Sequence, residues 1–185
     1  RVRRYAEEGT NPTRADELII RDAAWDEVDE ISKLIHLANE EFVPSPMRPE
    51  RQESWDAYWK EIGNVASHLE RAEVIVAEKA GRVVGTVTFY PDPTLADPGG
   101  VPRSWPGIRL LAVAPDARRL GIGKALMLEC MHRARRSGAA TVGLYSMQRQ
   151  VAAQGMYRRM GFQRVPELDY WPVPEICVMA FRLDL

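Results

Sequence analysis

Leu111-Ala112-Val113-Ala114-Pro115-Asp116-Ala117-Arg118-Arg119-Leu120-Gly121-Ile122-Gly123-Lys124-Ala125-Leu126 is the most informative run of the chain. It reads as an apolar strand ending at Val113, a short basic turn, and a helix that starts near Gly121. The first backbone N–H groups of a helix have no partner inside it, and the helix dipole favours an anion there. Glycine removes the Cβ that would hold a phosphate away from the backbone. Arg118, Arg119 and Lys124 add positive charge around the same point. Together these features suit a pyrophosphate. Gly121 and Gly123 alone would suit an ordinary tight turn equally well.

Two other nucleotide-binding patterns fit this run poorly. A dinucleotide fingerprint needs a third glycine where Leu126 stands, and an acid after the next strand, which instead ends in Tyr145-Ser146. A P-loop needs Ser or Thr after its Gly-Lys pair, and here Ala125 follows.

The flanking segments supply the frame. Ile122 to Arg136 carries Ile122, Ala125, Leu126 and Cys130 on one apolar stripe, closed by Gly138, as an amphipathic helix should be. Then come a strand at 141–145, a helix at 150–160 ended by Gly161, and strands at 162–165 and 176–183. Upstream, 17–21 reads as a strand, 26–37 as a helix, and 49 to about 69 as one further helix with Pro49 in its first turn. Val74–Ala77 and Val83–Phe89 flank an Ala80-Gly81-Arg82 turn as a hairpin. Residues 91–106 form a long loop rich in Pro, Gly and Asp, and 108–113 is the strand that leads into the glycines. Residues 1–16 lack periodicity and read as a tail, so 17–185 is the expected single domain. An early hairpin followed by a strand–helix–strand unit predicts an α/β mixed sheet with helices on its faces.

At 185 residues and 45% apolar, the chain can bury one real core. A formal net charge of −1 calls for no nucleic acid or anionic membrane. The N-terminal stretch has no apolar core of a secretory signal, and no apolar run is long enough to cross a membrane. Cys130 and Cys177 have no metal-ligand spacing, and neither do His36, His68 and His132, so no metal is expected. A cytoplasmic protein is the expectation.

Arg118-x-x-Gly121-x-Gly123, after a strand ending Leu-Ala-Val, resembles the acetyl-CoA motif [QR]-x-x-G-x-[GA] of the GNAT N-acetyltransferase superfamily. Ala153-x-x-Met156-Tyr157-x-x-x-Gly161-Phe162 is similar to that family's A-x-x-L-Y-x-x-x-G-F signature, with Met in place of Leu. The likeness spans about residues 108–165. It implies a mixed, mostly antiparallel sheet whose strands at 108–113 and 141–145 splay apart. Acetyl-CoA would lie in that gap, its pantetheine arm against the backbone of Leu111, Ala112 and Val113. Its pyrophosphate would be cradled by the segment Arg118, Arg119, Leu120, Gly121, Ile122, Gly123, Lys124 and Ala125. Gln150 stands where the family often has Asn and would reach the pantetheine. Tyr157 matches the tyrosine that serves the departing sulfur, and a phenol (pKa ~10) can still give a proton where a thiol (~8.5) would ionise. An amine acceptor would attack the thioester directly, helped by a backbone N–H at the developing oxyanion.

The general base stays open between an ordered water and Glu78, Glu167 or Asp169, because Arg109 and Leu110 stand where some relatives have a strand acid. The acceptor pocket is expected among 40–59, 91–106 and 166–175. These segments mix Phe42, Met47, Trp55, Trp59, Trp105, Tyr170 and Trp171 with Glu40, Glu41, Asp92, Asp97, Glu167 and Asp169, a composition suited to a cationic amine. Trp55 and Trp59 sit one helical turn apart and read more simply as a core-facing pair. A non-catalytic acyl-CoA sensor is the alternative to an enzyme. An exposed sheet edge is compatible with a homodimer.

Overall fold

The computed structural model describes residues 2–5, 17–43, 48–95, 104–173 and 176–185. The hairpin forms as its sequence demands: β3 (Glu73–Lys79) turns into β4 (Arg82–Tyr90) through Ala80 and Gly81, at φ 52° and 73°. Two successive left-handed residues match the right-handed twist of the strands they join. Around this pair the sheet runs β1 (Val2–Tyr5), β2 (Leu18–Asp22), β3, β4, β5 (Gly107–Val113), β6 (Thr141–Met147), β9 (Ile176–Asp184) and β7 (Gln163–Arg164). A short β8 (Tyr170–Val173) also pairs with β9. All neighbours are antiparallel except β5 and β6.

The helices are α1 (Val28–Asn39), α2 (Pro49–Ile62), α3 (Val65–Arg71), α4 (Ile122–Arg136) and α5 (Val151–Arg159). Pro49 opens α2 as expected, since its fixed φ and missing N–H cost nothing in a first turn. The single helix expected from 49 to 69 is broken at Gly63 and Asn64. Asn64 starts α3 by accepting the Ser67 N–H at 3.4 Å, the role a short amide plays at a helix N-cap. Val2–Tyr5, within the stretch read as a tail, forms the outermost strand by pairing with β2. Those four residues have no periodicity of their own; the open edge of β2 is their template. Residues 6–16 lie outside the described residues, as do Met47 and Asp97.

β4 is buried from Val83 to Tyr90 because helices cover both its faces, α1 on one and α4 on the other. Gly85 is the position that lets α4 come so close. A Cβ there would stand 2.9 Å from Ile122 Cγ2 and 3.1 Å from Leu126 Cδ1. Ile122 and Leu126 are 2% and 0% exposed, and burying each contributes roughly 1.5–3 kcal/mol. Further along α4, buried Arg133 meets Glu129, Glu73 and Asp22 at 2.6–2.8 Å, tying the helix to β2 and β3. The glycine loop is thereby fixed on a rigid support.

Candidate active site

The sheet parts where the sequence places the glycine loop. β5 and β6 are paired only at Gly107↔Gly143 and Ile108↔Leu144. The Pro106 carbonyl adds one bond, accepting from the Gly143 N–H at 3.0 Å. Beyond Ile108, β5 has no ladder partner on its β6 side among the described residues. The cause lies in β5 itself: its register with β4 slips between Thr86↔Ala112 and Thr88↔Arg109, and Leu110 sits at φ 55°. One extra residue bends the strand away. Holding leucine in the left-handed region costs on the order of 1 kcal/mol, which the surrounding pairs must over-determine. Leu111, Ala112 and Val113 follow the bulge along the open edge.

After Val113 the chain makes a short turn at Pro115–Ala117, passes Arg119 at φ 67° and reaches Gly121 at φ 76°, the N-cap of α4. The last bond of the turn is Arg118 N–H to the Pro115 carbonyl at 3.4 Å. The first bond of the helix runs from the Ala125 N–H to Gly121 at 3.0 Å. Between them, the N–H groups of Arg119, Leu120, Gly121, Ile122, Gly123 and Lys124 have no hydrogen-bond partner among the described residues. Side chains of Arg119, Leu120 and Lys124 are exposed, whereas Ile122 and Ala125 face the core. A Cβ at Gly123 would stand 3.6 Å from Met156 Sδ and 3.7 Å from Val113 Cγ2. The amide row, the end of β5 and α5 therefore converge on one spot.

The remaining sequence candidates differ in how available they are. Arg118 is turned back to α1, meeting Glu41 at 2.7 Å and the Ala38 carbonyl at 3.3 Å. Gln150 folds into the β6–α5 turn. Its Oε1 accepts from Ser146 Oγ and the Met147 N–H, both at 3.0 Å, and its Nε2 donates to Asn39 Oδ1 at 3.4 Å. Tyr157 is 6% exposed on α5, its ring 5.9 Å from both Phe162 and Phe181. Burial pushes its phenol well above the usual tyrosine range, and the nearby Cys130 thiol adds to the shift. Its hydroxyl has no hydrogen-bond partner among the described residues, so its proton is uncommitted.

Two of the three acidic candidates for a base are engaged by other groups. Glu78 meets Arg21 at 2.9 Å on β2. Asp169 takes Arg164 at 2.6 Å and the Ala180 N–H at 2.8 Å, which outweighs burial and holds its carboxyl below the usual range. Glu167 is exposed in the turn Pro166–Leu168. Trp59 packs against the core, stacked by His36 at 4.8 Å and Trp55 at 5.9 Å. Sequence reasoning passed over a polar group on the α2–α3 side of the sheet: Tyr58, Glu61, His68, Tyr90 and Arg109. Its members are far apart in the chain, and only the β-strand position of Arg109 hinted at it. Among the described residues no three His, Cys, Asp or Glu are grouped to hold a metal, and no helix is long and apolar enough to cross a membrane.

The chain is similar to known proteins in sequence and in fold. A mycothiol acetyltransferase of Cellulomonas flavigena is 29% identical over 153 residues, 82% of this chain and 40% of that protein. N-acetyltransferase family 8 member 3 of Rattus norvegicus is 35% identical over 97 residues, 51% of this chain and 40% of that protein. The chain thus spans about 40% of the length of the curated relatives it matches. Among solved structures, yncA from Salmonella typhimurium with its cofactor acetyl-CoA superposes with a TM-score of 0.62 at 17% identity, covering 91% of this chain and 94% of that one. The family model described as the acetyltransferase (GNAT) family matches residues 31–162, from α1 to the end of the second motif. The chain belongs to the GNAT acetyltransferase family.

Proposed function

We propose that this chain transfers an acyl group, acetyl first of all, from acetyl-CoA to an amine acceptor. One observation carries the reading: six consecutive amides, from Arg119 to Lys124, without a partner among the described residues, open beside a sheet split at the bulge of β5. The amides and the positive end of α4 would receive the pyrophosphate, with Arg119 and Lys124 as mobile positive charge. The open edge of Leu111, Ala112 and Val113 would pair with the amide-bearing pantetheine arm like an added strand. Ala125 supports the loop from the core side, and Arg118 braces it against α1. Gln150 shapes the turn at the far wall of the gap, and reaches the arm once its 3.4 Å contact to Asn39 is exchanged.

The chemistry of the residues fits direct attack. The displaced sulfur takes a proton from Tyr157, whose raised pKa keeps it protonated across the physiological range. A backbone N–H of the bulged segment, turned out of the β4–β5 ladder, serves the developing oxyanion. The acetyltransferase names of the curated relatives and the acetyl-CoA of the superposed structure support the same reading.

Calorimetric titration with acetyl-CoA, followed by thiol release in the presence of amines, tests it. Tyr157→Phe should leave acetyl-CoA binding within about threefold and slow turnover about 10²–10⁴-fold, the usual contribution of a positioned proton donor. A folded protein that binds no acyl-CoA would defeat the proposal. Binding with no amine turnover would favour an acyl-CoA sensor instead.

A further inference from the structure

Arg109 stands on β5 immediately before the bulged Leu110, where β5 and β6 part, and points to the α2–α3 side of the sheet. Its guanidinium lies against the Glu61 carboxylate, Nη1 to Oε1 at 3.3 Å and Nη2 to Oε2 at 3.4 Å. Behind it the partners are fixed. Tyr90 Oη is 2.9 Å from His68 Nδ1, and His68 Nε2 is 3.2 Å from the Glu61 carbonyl oxygen. A carbonyl only accepts, so Nε2 bears the hydrogen, and Nδ1 of the neutral ring accepts from the Tyr90 hydroxyl. Arg109 in turn hydrogen-bonds the Tyr90 oxygen. His68 and Tyr90 are each 1% exposed. One buried chain thus holds both the backbone of Glu61 and the guanidinium that pins its carboxylate.

What faces outward is the acid. The Glu61 side chain is 38% exposed and that of Arg109 18%. Tyrosines border it: Tyr58 precedes Glu61 by three residues on α2, and Tyr145 of β6 meets Tyr170 of β8 edge-on at 5.2 Å. Burial pushes the Tyr58 phenol up to about 12; Arg109 opposes that rise, and Glu61 and Tyr170 add to it.

We propose that Glu61 is the acceptor-side carboxylate, and that the acceptor is a primary amine arriving as its ammonium on an aromatic or similarly flat apolar body. The proposal rests on the acyl-transfer reading and names its second substrate class. A carboxylate near tyrosines attracts a cation through a charge-assisted hydrogen bond, and the rings offer apolar faces to the body that carries it. An anionic acceptor would meet Glu61 before it met Arg109. In the reaction the ammonium gives one proton to Glu61, which passes it to solvent. The freed nitrogen lone pair forms the C–N bond, and the C–S bond breaks with its electron pair going to sulfur. Sulfur takes the Tyr157 proton; the nitrogen's second proton restores the tyrosine, and its third remains on the amide. The net change is ammonium plus thioester to amide, thiol and one released proton.

The test titrates 2-phenylethylamine, and separately 2-phenylethanol, into the full chain saturated with CoA. Native protein should bind the amine about tenfold or more tightly than the alcohol, the usual margin of a hydrogen bond to a charged group. Glu61→Gln should bring the two within about twofold while acetyl-CoA affinity stays unchanged, and Glu61→Asp should recover part of the preference. Should the glutamine variant fail to fold, the comparison on native protein decides. Equal binding of amine and alcohol, or no binding of either, overturns the proposal. Loss of acetyl-CoA binding by native protein would instead overturn the acyl-transfer reading beneath it.

Discussion

Replacing Gly123 by glutamate should make the protein more stable and less able to bind acetyl-CoA. Gly123 lies in the first turn of α4 at an ordinary helical conformation. A Cβ there meets only Met156 and Val113, at 3.6–3.8 Å, which is normal contact. Leaving glycine behind in a helix is worth about 0.5–1 kcal/mol, and a carboxylate beside a helix N-terminus adds about 0.3–1 kcal/mol. The melting temperature should therefore rise by about 2–4 °C for each kcal/mol gained. Against a pyrophosphate on the amides of residues 119–124, the same carboxylate sits on the order of 5 Å from like charge. At an effective dielectric of about 20 and after screening, that repulsion is about 2–3 kcal/mol, or roughly 30- to 150-fold in affinity. Calorimetry with acetyl-CoA and a thermal scan read both numbers. Gly123→Ala, which adds the methyl without the charge, should bind within about threefold of native protein. A glutamate variant that melts no lower than native protein and still binds within about threefold would refute the placement of the pyrophosphate at these amides.

Three further outcomes follow from the packing. Gly85→Val should cost about 1–3 kcal/mol in urea unfolding, because its side chain would drive into Ile122, Leu126 and the Ala112 carbonyl 3.3 Å away. Gln150→Ala removes the acceptor used by Ser146 and Met147 and should cost about 1–2 kcal/mol of unfolding free energy, read as a lower urea midpoint at unchanged slope. His68 titrates below its ordinary value, chiefly through burial against the opposing pull of Glu61. The unfolded chain therefore binds the proton more readily, and stability from the neutral ring is present above about pH 6.5 and lost as pH falls toward the folded value. His68→Asn should flatten that acidic slope in denaturation measured from pH 7.5 to 5.

The glycine loop was legible in the sequence because everything that shapes it is local: Gly121 must take φ 76°, and the first turn of α4 follows at once. The hairpin at Ala80-Gly81 was legible for the same reason. β8 was not, since Pro172 argues against a strand, yet an edge strand bonded only to β9 tolerates the missing donor. The split of α2 from α3 was signalled by Gly63-Asn64 but hidden by continuous helical composition on both sides. Arg109 and Glu61, 48 residues apart, meet only because the fold brings the last turn of α2 within side-chain reach of β5. The engagement of Arg118 by Glu41 is equally a product of the fold: the motif marks the position, and α1 decides where the side chain goes.

The short β5–β6 seam has a consequence for cooperativity. Two ladder pairs and one flanking bond join a block of five strands to a block built on β6 and β9. Such a seam transmits little free energy, so the two blocks should open to solvent hydrogen exchange with separate rates. An arm lying along the open edge of β5 would bridge them. Ligation would then do more than fill a cleft: it would fuse two exchange units into one, slowing the amides of β6 and β9 together with those of β5.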